Sequence, residues 1–336
     1  RVALEQWDEQ AADVAITGLV RNAGAQEIFD QLAIYAARDF RSIGHKVIYL
    51  SNAFRTLQTI GWDYAEPVMR SLVYAMLNHQ GSPNPADSDL PADRPGRLNR
   101  DLLEKMPAHW RGRTADDGAT RELVTAFHDC SPEQASEMVV DLINSGVAIQ
   151  SIWDGIYASA GELMMRQRGI ISLHSVTTTN ALHHAFKTAA NDQTRQYLLL
   201  QNASFLPMFR EAARDRGPLA ERHITDLNHE DKAKPTESVR AIFQTMGRDR
   251  PGASQMMYQY LSAGGDAQSV VDHARRLVFL KGDDSHDYKF SSAALEDYRR
   301  LSPQWRNRFL AASTFQLRNE TEKTRPLVKR IQTALA

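Results

Sequence analysis

The chain is expected to be all-α, a helical-repeat bundle built from three degenerate multi-helix copies, and three observations lead there. Apolar residues recur at three- and four-residue spacing along nearly the whole chain, as in Leu32, Ile34, Tyr35 and Ala36 or Met138, Val139, Leu142 and Ile143, while strand-like alternation is rare. Local start and stop signals bracket these periodic stretches. One pattern also returns three times: Gln26-Glu27-Ile28-Phe29-Asp30, Gln150-Ser151-Ile152-Trp153-Asp154 and Gln268-Ser269-Val270-Val271-Asp272 share Gln, an apolar pair and Asp at one spacing. An internal period of this kind marks a repeat architecture, in which each unit buries its apolar face against a neighbour.

The offsets hold beyond the motif. Ala11, Ala135 and Ala253 each stand 15 residues before the glutamine of their copy. Downstream the copies realign on His45, His174 and His286, then on Ser51-Asn52-Ala53-Phe54, Thr179-Asn180-Ala181-Leu182 and Ser292-Ala293-Ala294-Leu295. Met69, Leu198 and Leu310 follow, each 24 residues after its histidine. The copies are therefore placed at about 9–80, 131–213 and 251–320 of a single 1–336 domain, with polar insertions at 81–97 and 214–236 that are rich in proline, glycine and charge.

Within each copy the helix ends have local causes. Ser131-Pro132-Glu133-Gln134 offers a hydroxyl N-cap, a proline at the first helical position and a capping-box glutamine, which predicts a helix from Pro132 to about Ser145, ended by Gly146. Pro251 and Gly264-Gly265 bound the corresponding helix of the third copy. A second helix is expected near Gln150 and near Gln268, and a histidine-bearing helix after it. Trp62, Trp153 and Trp305 are expected to pack between helices.

Composition narrows the function classes. The 40 basic and 41 acidic residues nearly cancel, so charge nominates neither nucleic acid nor an anionic membrane as partner. Cys130 is the single cysteine, which excludes an internal disulfide and a thiolate zinc cluster. No apolar run approaches the roughly 20 residues that cross a bilayer. The cytoplasm is the expected compartment, although a chain starting at Arg1 is compatible with loss of an upstream targeting segment. Nucleophile elbows, glycine-rich phosphate loops, HExxH, EF-hand and Cys-X-X-Cys patterns are all missing from the sequence.

The repeated histidines carry the chemical expectation. Neutral imidazoles ligate iron, copper, zinc or nickel, and three on converging helices leave coordination positions open, so His45, His174 and His286 are the candidate metal ligands. Asp30, Asp154 and Asp272, one helix earlier, are candidates to orient the rings by accepting their other N–H. Asp287 or Glu162 is an alternative direct ligand. The competing account is structural: repeats inherit positions from an ancestral unit, and an Asp in the first turn of a helix is favoured by the helix dipole. Asn52 and Asn180 offer amides to a substrate or a helix neighbour, and His174 with these two forms the catalytic candidate set. His183 and His184, nine and ten residues after His174, point away from it to different degrees and are candidates for lining a cofactor pocket, as is Tyr288. His128, Asp129 and Cys130 read as helix-end chemistry.

The segments Gly44-His45-Lys46-Val47-Ile48-Tyr49-Leu50 with Ala65-Glu66-Pro67, and His174-Ser175-Val176-Thr177 with Asn180-Ala181-Leu182, resemble the histidine-containing helical blocks of the questin oxidase-like family. The resemblance covers about half of the chain. It implies an all-helical oxidoreductase acting on an aromatic or polyketide-like compound in the manner of a Baeyer–Villiger oxidation, and it reaches His45 and His174 only. The polar loop at 81–97 and the compact final copy depart from the pattern.

Three functions follow as expectations. The first is a metal-dependent, oxygenase-like oxidoreductase of a small substrate, using iron or another transition metal, with haem as a variant. The second is a non-catalytic helical-repeat scaffold that binds a protein or peptide. The third is a metal-free hydrolase or isomerase with a His–Asp pair.

Overall fold

Ser131 and Gln134 close the capping box that the sequence predicts. The serine hydroxyl accepts the Gln134 amide N–H at 3.2 Å and the glutamine side chain accepts the Ser131 N–H at 2.9 Å. The helix they start runs Pro132–Asn144 and ends at Gly146, whose φ of 88° is left-handed. In a computed structural model, which describes residues 1–77, 82–228 and 238–336, the same logic recurs along the chain. Among the described residues every regular element is helical, and the one β feature is an isolated bridge between Thr114 and Val147. The end of the first expected copy, 78–80, the first residue of one insertion, 81, and part of the other, 229–236, lie outside the described residues.

Among the described residues each of the three stretches contributes four α-helices. They are α1 (Glu9–Asn22), α2 (Ala25–Ala36), α3 (His45–Ile60) and α4 (Ala65–Leu77); α5 (Pro132–Asn144), α6 (Ile149–Arg166), α7 (Ile170–Thr188) and α8 (Asp192–Arg214); and α9 (Arg250–Ser262), α10 (Ala267–Lys281), α11 (Ser285–Asp297) and α12 (Pro303–Ser313). Short aspartate caps start several of them: Asp8 accepts the Ala11 N–H, Asp249 the Gly252 N–H and Asp266 the N–H groups of Gln268 and Ser269. None of the described helices is long and apolar enough to cross a membrane.

By contacts the chain divides into two compact units. Unit 1 is Arg1–Asp116, Thr125–Ile149 and Thr178–Phe209; unit 2 is Asp117–Val124, Gln150–Thr177 and Arg210–Ala336. In unit 1, α1 lies along α4, joined by the ion pairs Arg21–Glu66 at 2.9 Å and Arg70–Asp13 at 2.8 Å. The hydroxyl of Ser136 on α5 donates to the Leu200 carbonyl of α8 at 3.2 Å. In unit 2, Ser254 on α9 does the same to the Ala311 carbonyl of α12 at 2.9 Å. Apolar burial holds these layers: Phe29, Phe205 and Phe209 in unit 1 and Trp153, Tyr157, Trp305 and Phe309 in unit 2 are enclosed. Such side chains contribute about 1.5–3 kcal/mol each. The packing expected of Trp153 and Trp305 is present, and Trp62 packs half-buried against Phe54, with ring centroids 6.2 Å apart.

The Gln-x-x-x-Asp motif proves to be a helix-end clamp. In unit 1 the Gln26 amide donates to the Thr188 carbonyl at 2.9 Å, and Asp30 accepts the Ala190 N–H at 2.9 Å. In unit 2 the Gln150 amide donates to the Arg300 carbonyl at 3.0 Å, and Asp154 accepts the Ser302 N–H at 3.0 Å. The last carbonyls and first amides of helices have no partner within their own helix. One Gln–Asp pair, set one turn apart, serves both across a single corner. At the third occurrence, Gln268 donates to Asp272 at 2.8 Å and accepts from Arg299 at 2.8 Å.

A candidate acid–base site

The start of α11 sets one side of the site. Asp284 is its N-cap, accepting the N–H groups of His286 and Asp287, and Asp287 completes a capping box. This places His286 in the first turn and Lys289 three residues on, on the same helical face. The other side is α7, where His174 is almost wholly enclosed at 1% exposure. His174 Nδ1 lies 2.7 Å from the Ile170 carbonyl. A carbonyl only accepts, so Nδ1 carries the hydrogen and Nε2 keeps its lone pair.

Lys289 Nζ stands 2.9 Å from that Nε2. The His286 ring lies edge-on to His174, with centroids 5.4 Å apart and planes at 70°. Burial brings the Lys289 pKa down to about 8, opposed by the Asp284 carboxylate. Desolvation penalises the ammonium, and Asp284 is the charge that favours it. His286 Nδ1 lies 3.5 Å from Asp284, which links both basic groups to one carboxylate. A desolvated amine in contact with an imidazole makes this a candidate chemical site.

Of the expected metal triad, His174 and His286 come together in unit 2. His45 belongs to unit 1, where it opens α3 after three residues with positive φ, Ser42 at 57°, Ile43 at 48° and Gly44 at 79°. Its Nδ1 hydrogen-bonds to the Ser42 carbonyl, and its ring meets Tyr49. A β-branched residue in the left-handed region is strained, so the turn is held in place by its surroundings. Gly44 is needed there for a second reason: a Cβ would stand 2.4 Å from the Thr178 hydroxyl.

The repeated aspartates do a different task from the one expected of them. Asp30 and Asp154 bind backbone at helix corners, and Asp272 binds Gln268, while His174 and His45 direct Nδ1 to carbonyls of their own segments. Burial raises the pKa of Asp154, with the Ser302 bonds opposing. Asn180 accepts from Arg55 at 3.1 Å, an inter-helix polar contact, while Asn52 is exposed. His184 meets the Phe29 ring edge-on and His183 stacks on Phe186, both in unit 1. Tyr288 is 43% exposed beside Phe279. Glu162, buried in unit 2, accepts the Ile224 N–H at 2.9 Å and faces His223 Nδ1 at 3.8 Å. Asp287 pairs with Arg318.

Two lysines complete the picture. The only signal for Lys289 in the sequence is its three-residue spacing from His286. Lys46, beside His45, forms a buried pair with Asp39 at 2.7 Å and lies over the Trp7 ring. A cleft of unit 1, about 880 Å³, is lined by Gln26, Asp30, Tyr35, Arg100 and Tyr197 and by none of the candidate histidines. Size alone does not make it the chemical centre.

A transition metal fits the His174 position poorly. The one lone pair on Nε2 is already directed at an ammonium, and a metal cation would compete with that charge for the same electrons. Comparison with protein-family models, curated proteins and solved structures finds no match to this chain.

Proposed function

We propose that the chain is an enzyme acting on a small organic molecule, with His174, Lys289 and His286 as its acid–base group. The observation that supports this reading is the 2.9 Å approach of Lys289 Nζ to His174 Nε2. The carbonyl contact of Nδ1 fixes the tautomer, so the acceptor face of the imidazole is constant. An amine whose pKa lies near 8 exchanges its proton at neutral pH with a small driving force, the condition under which general acid–base transfer is efficient. His174 holds the proton between Nε2 and Nζ, beside the His286 ring. The reaction class to assay first is the one implied by the questin oxidase-like resemblance, oxidation of an aromatic or polyketide-like compound.

Iron or haem, as first expected, would need Lys289 to withdraw from Nε2, so no step is routed through either. The direct test is lysine-selective acetylation of the native protein across pH, read residue by residue by mass spectrometry. Lys289 should titrate near pH 8 and shift further below ordinary lysine behaviour in His174→Phe, where burial remains and the ammonium loses its acceptor. A Lys289 midpoint near 10.5 in the unaltered protein would remove the proposal. A bound transition metal that is retained on purification and lost in His174→Ala would replace it with the metal-centre reading.

The scaffold reading stands second, favoured by the two helix-end clamps, which join successive stretches through their backbones.

A further inference from the structure

We propose that this chain assembles head to tail, the front face of its third copy taking the back face of the first copy of a second molecule. The inference treats the three stretches as equivalent copies and follows one interface through them. It stands apart from the acid–base proposal.

In unit 1 the second and third helices of copy 1, its front, cover the third helix of copy 2. Ser51 Oγ donates to the Ala181 carbonyl at 2.8 Å, Arg55 to Asn180 at 3.1 Å, and Phe29 meets His184. The Gln26–Asp30 clamp closes on the end of α7. In unit 2 the second helix of copy 2 covers the fourth helix of copy 3, and the clamp recurs. Tyr157 packs on Phe309 with centroids 5.9 Å apart, Gly161 lies so close that a Cβ would be 3.2 Å from the Phe309 ring, and the Gln150–Asp154 clamp closes on the start of α12.

In copy 3 the outer edge of this face, at Phe279 and Ser292, is uncovered. Val271 and Phe279 correspond to Trp153 and Gly161 at the constant offset of 118 residues, and Ser292 corresponds to Thr179 and Ser51. With Arg275 and Glu296 they line an open groove of about 470 Å³. Phe279 is 68% exposed, whereas its counterpart Gly161 is enclosed against Phe309; Val271, like its counterpart Trp153, is buried. Here the third clamp, Gln268 and Asp272, is closed on itself.

The complementary surface is uncovered on copy 1. Asn52, Ala53 and Thr56 correspond to Asn180, Ala181 and His184, 128 residues on, and Val68 and Ser71 correspond to Phe309 and Ala312 through the register of Met69 with Leu310. These five side chains line a second groove, of about 640 Å³. The end of α3, Ile60-Gly61-Trp62, corresponds to Thr188-Ala189-Ala190, the segment that the first clamp holds, and Ile60 is 46% exposed.

One chain thus carries both uncovered halves of an interface whose clamp it already closes twice. That continuity selects a second copy of this chain as occupant, with Gln268 donating to the Ile60 carbonyl and Asp272 accepting the Trp62 N–H. A contact between two different surfaces is heterologous, and its repetition closes a ring or extends a filament.

Sedimentation velocity of the full chain over a concentration series tests this, with Phe279→Asp blocking the front and Thr56→Arg blocking the back. Both sites are exposed, and matching thermal melts establish that each variant folds. The unaltered chain should associate beyond a dimer, each variant alone should lose at least tenfold in association, and an equimolar mixture should form dimers and stop there. A chain that stays monomeric throughout, a variant that still self-associates, or a mixture that stays monomeric would overturn the proposal. Should Thr56→Arg melt early, Ser71→Arg replaces it on the same face.

Discussion

Lys289 and His174, 115 residues apart in sequence, share one hydrogen bond of 2.9 Å in which an ammonium is directed at an imidazole lone pair. Neither residue is free to choose its partner. The Ile170 carbonyl sets the His174 tautomer, and the Asp284 cap sets the turn from which Lys289 projects.

This pair gives stability a pH dependence of definite sign. Between about 8 and 10.5 the unfolded chain holds more protons on Lys289 than the folded chain does, so the penalty of the buried ammonium is present below pH 8 and relieved as pH rises through that window. In urea titrations on both sides of pH 8, Lys289→Met should flatten the rise. An unchanged slope would show that Lys289 titrates normally in the fold.

The clamps predict unequal costs for like substitutions. Asp154→Ala strands the Ser302 N–H, while the Gln150 amide keeps the Arg300 carbonyl, a loss of about 1–3 kcal/mol. Asp272→Ala, at an exposed position, should change stability by about 0.5 kcal/mol or less. Denaturant midpoints at low protein concentration compare them, and equal losses would contradict the assigned roles.

Lys46 and Asp39 are both within 1% of full burial. Removing one charge leaves the other enclosed, so Lys46→Met should cost about 3–5 kcal/mol, while the double change Asp39→Asn with Lys46→Met should recover part of that. A double-mutant cycle by chemical denaturation measures the coupling, and additive losses would argue against it.

Two glycines should respond in opposite directions. Gly44→Ala meets both a left-handed backbone and Thr178, for a loss of about 1–3 kcal/mol. Gly18, in the interior of α1 with nothing within 4 Å of its would-be Cβ, should gain about 0.5–1 kcal/mol as alanine. Thermal melts of the two variants check the sign.

Much of the helical framework was legible in the sequence because its causes are local. The capping box at Ser131, the stop at Gly146 and the proline-started α9 depend on neighbours within one turn, and each appears close to its expected place. The repeated Gln-x-x-x-Asp was equally visible, but its task was not. A carboxylate one turn from an amide suits a tautomer-fixing role and a helix-corner clamp alike, and only the residue brought opposite decides.

The same division holds for the site. His174 and His286 stood out by repetition, and the structure brings those two rings together. Lys289 did not stand out, because an amine beside a helix cap is commonplace until burial lowers its pKa. Spacing along the chain determined which residues share a helix and which face they occupy. Tertiary packing alone decided which faces meet, how much water they exclude and therefore which groups exchange protons, since hydrogen bonding and desolvation depend on distance in space and not on distance in sequence.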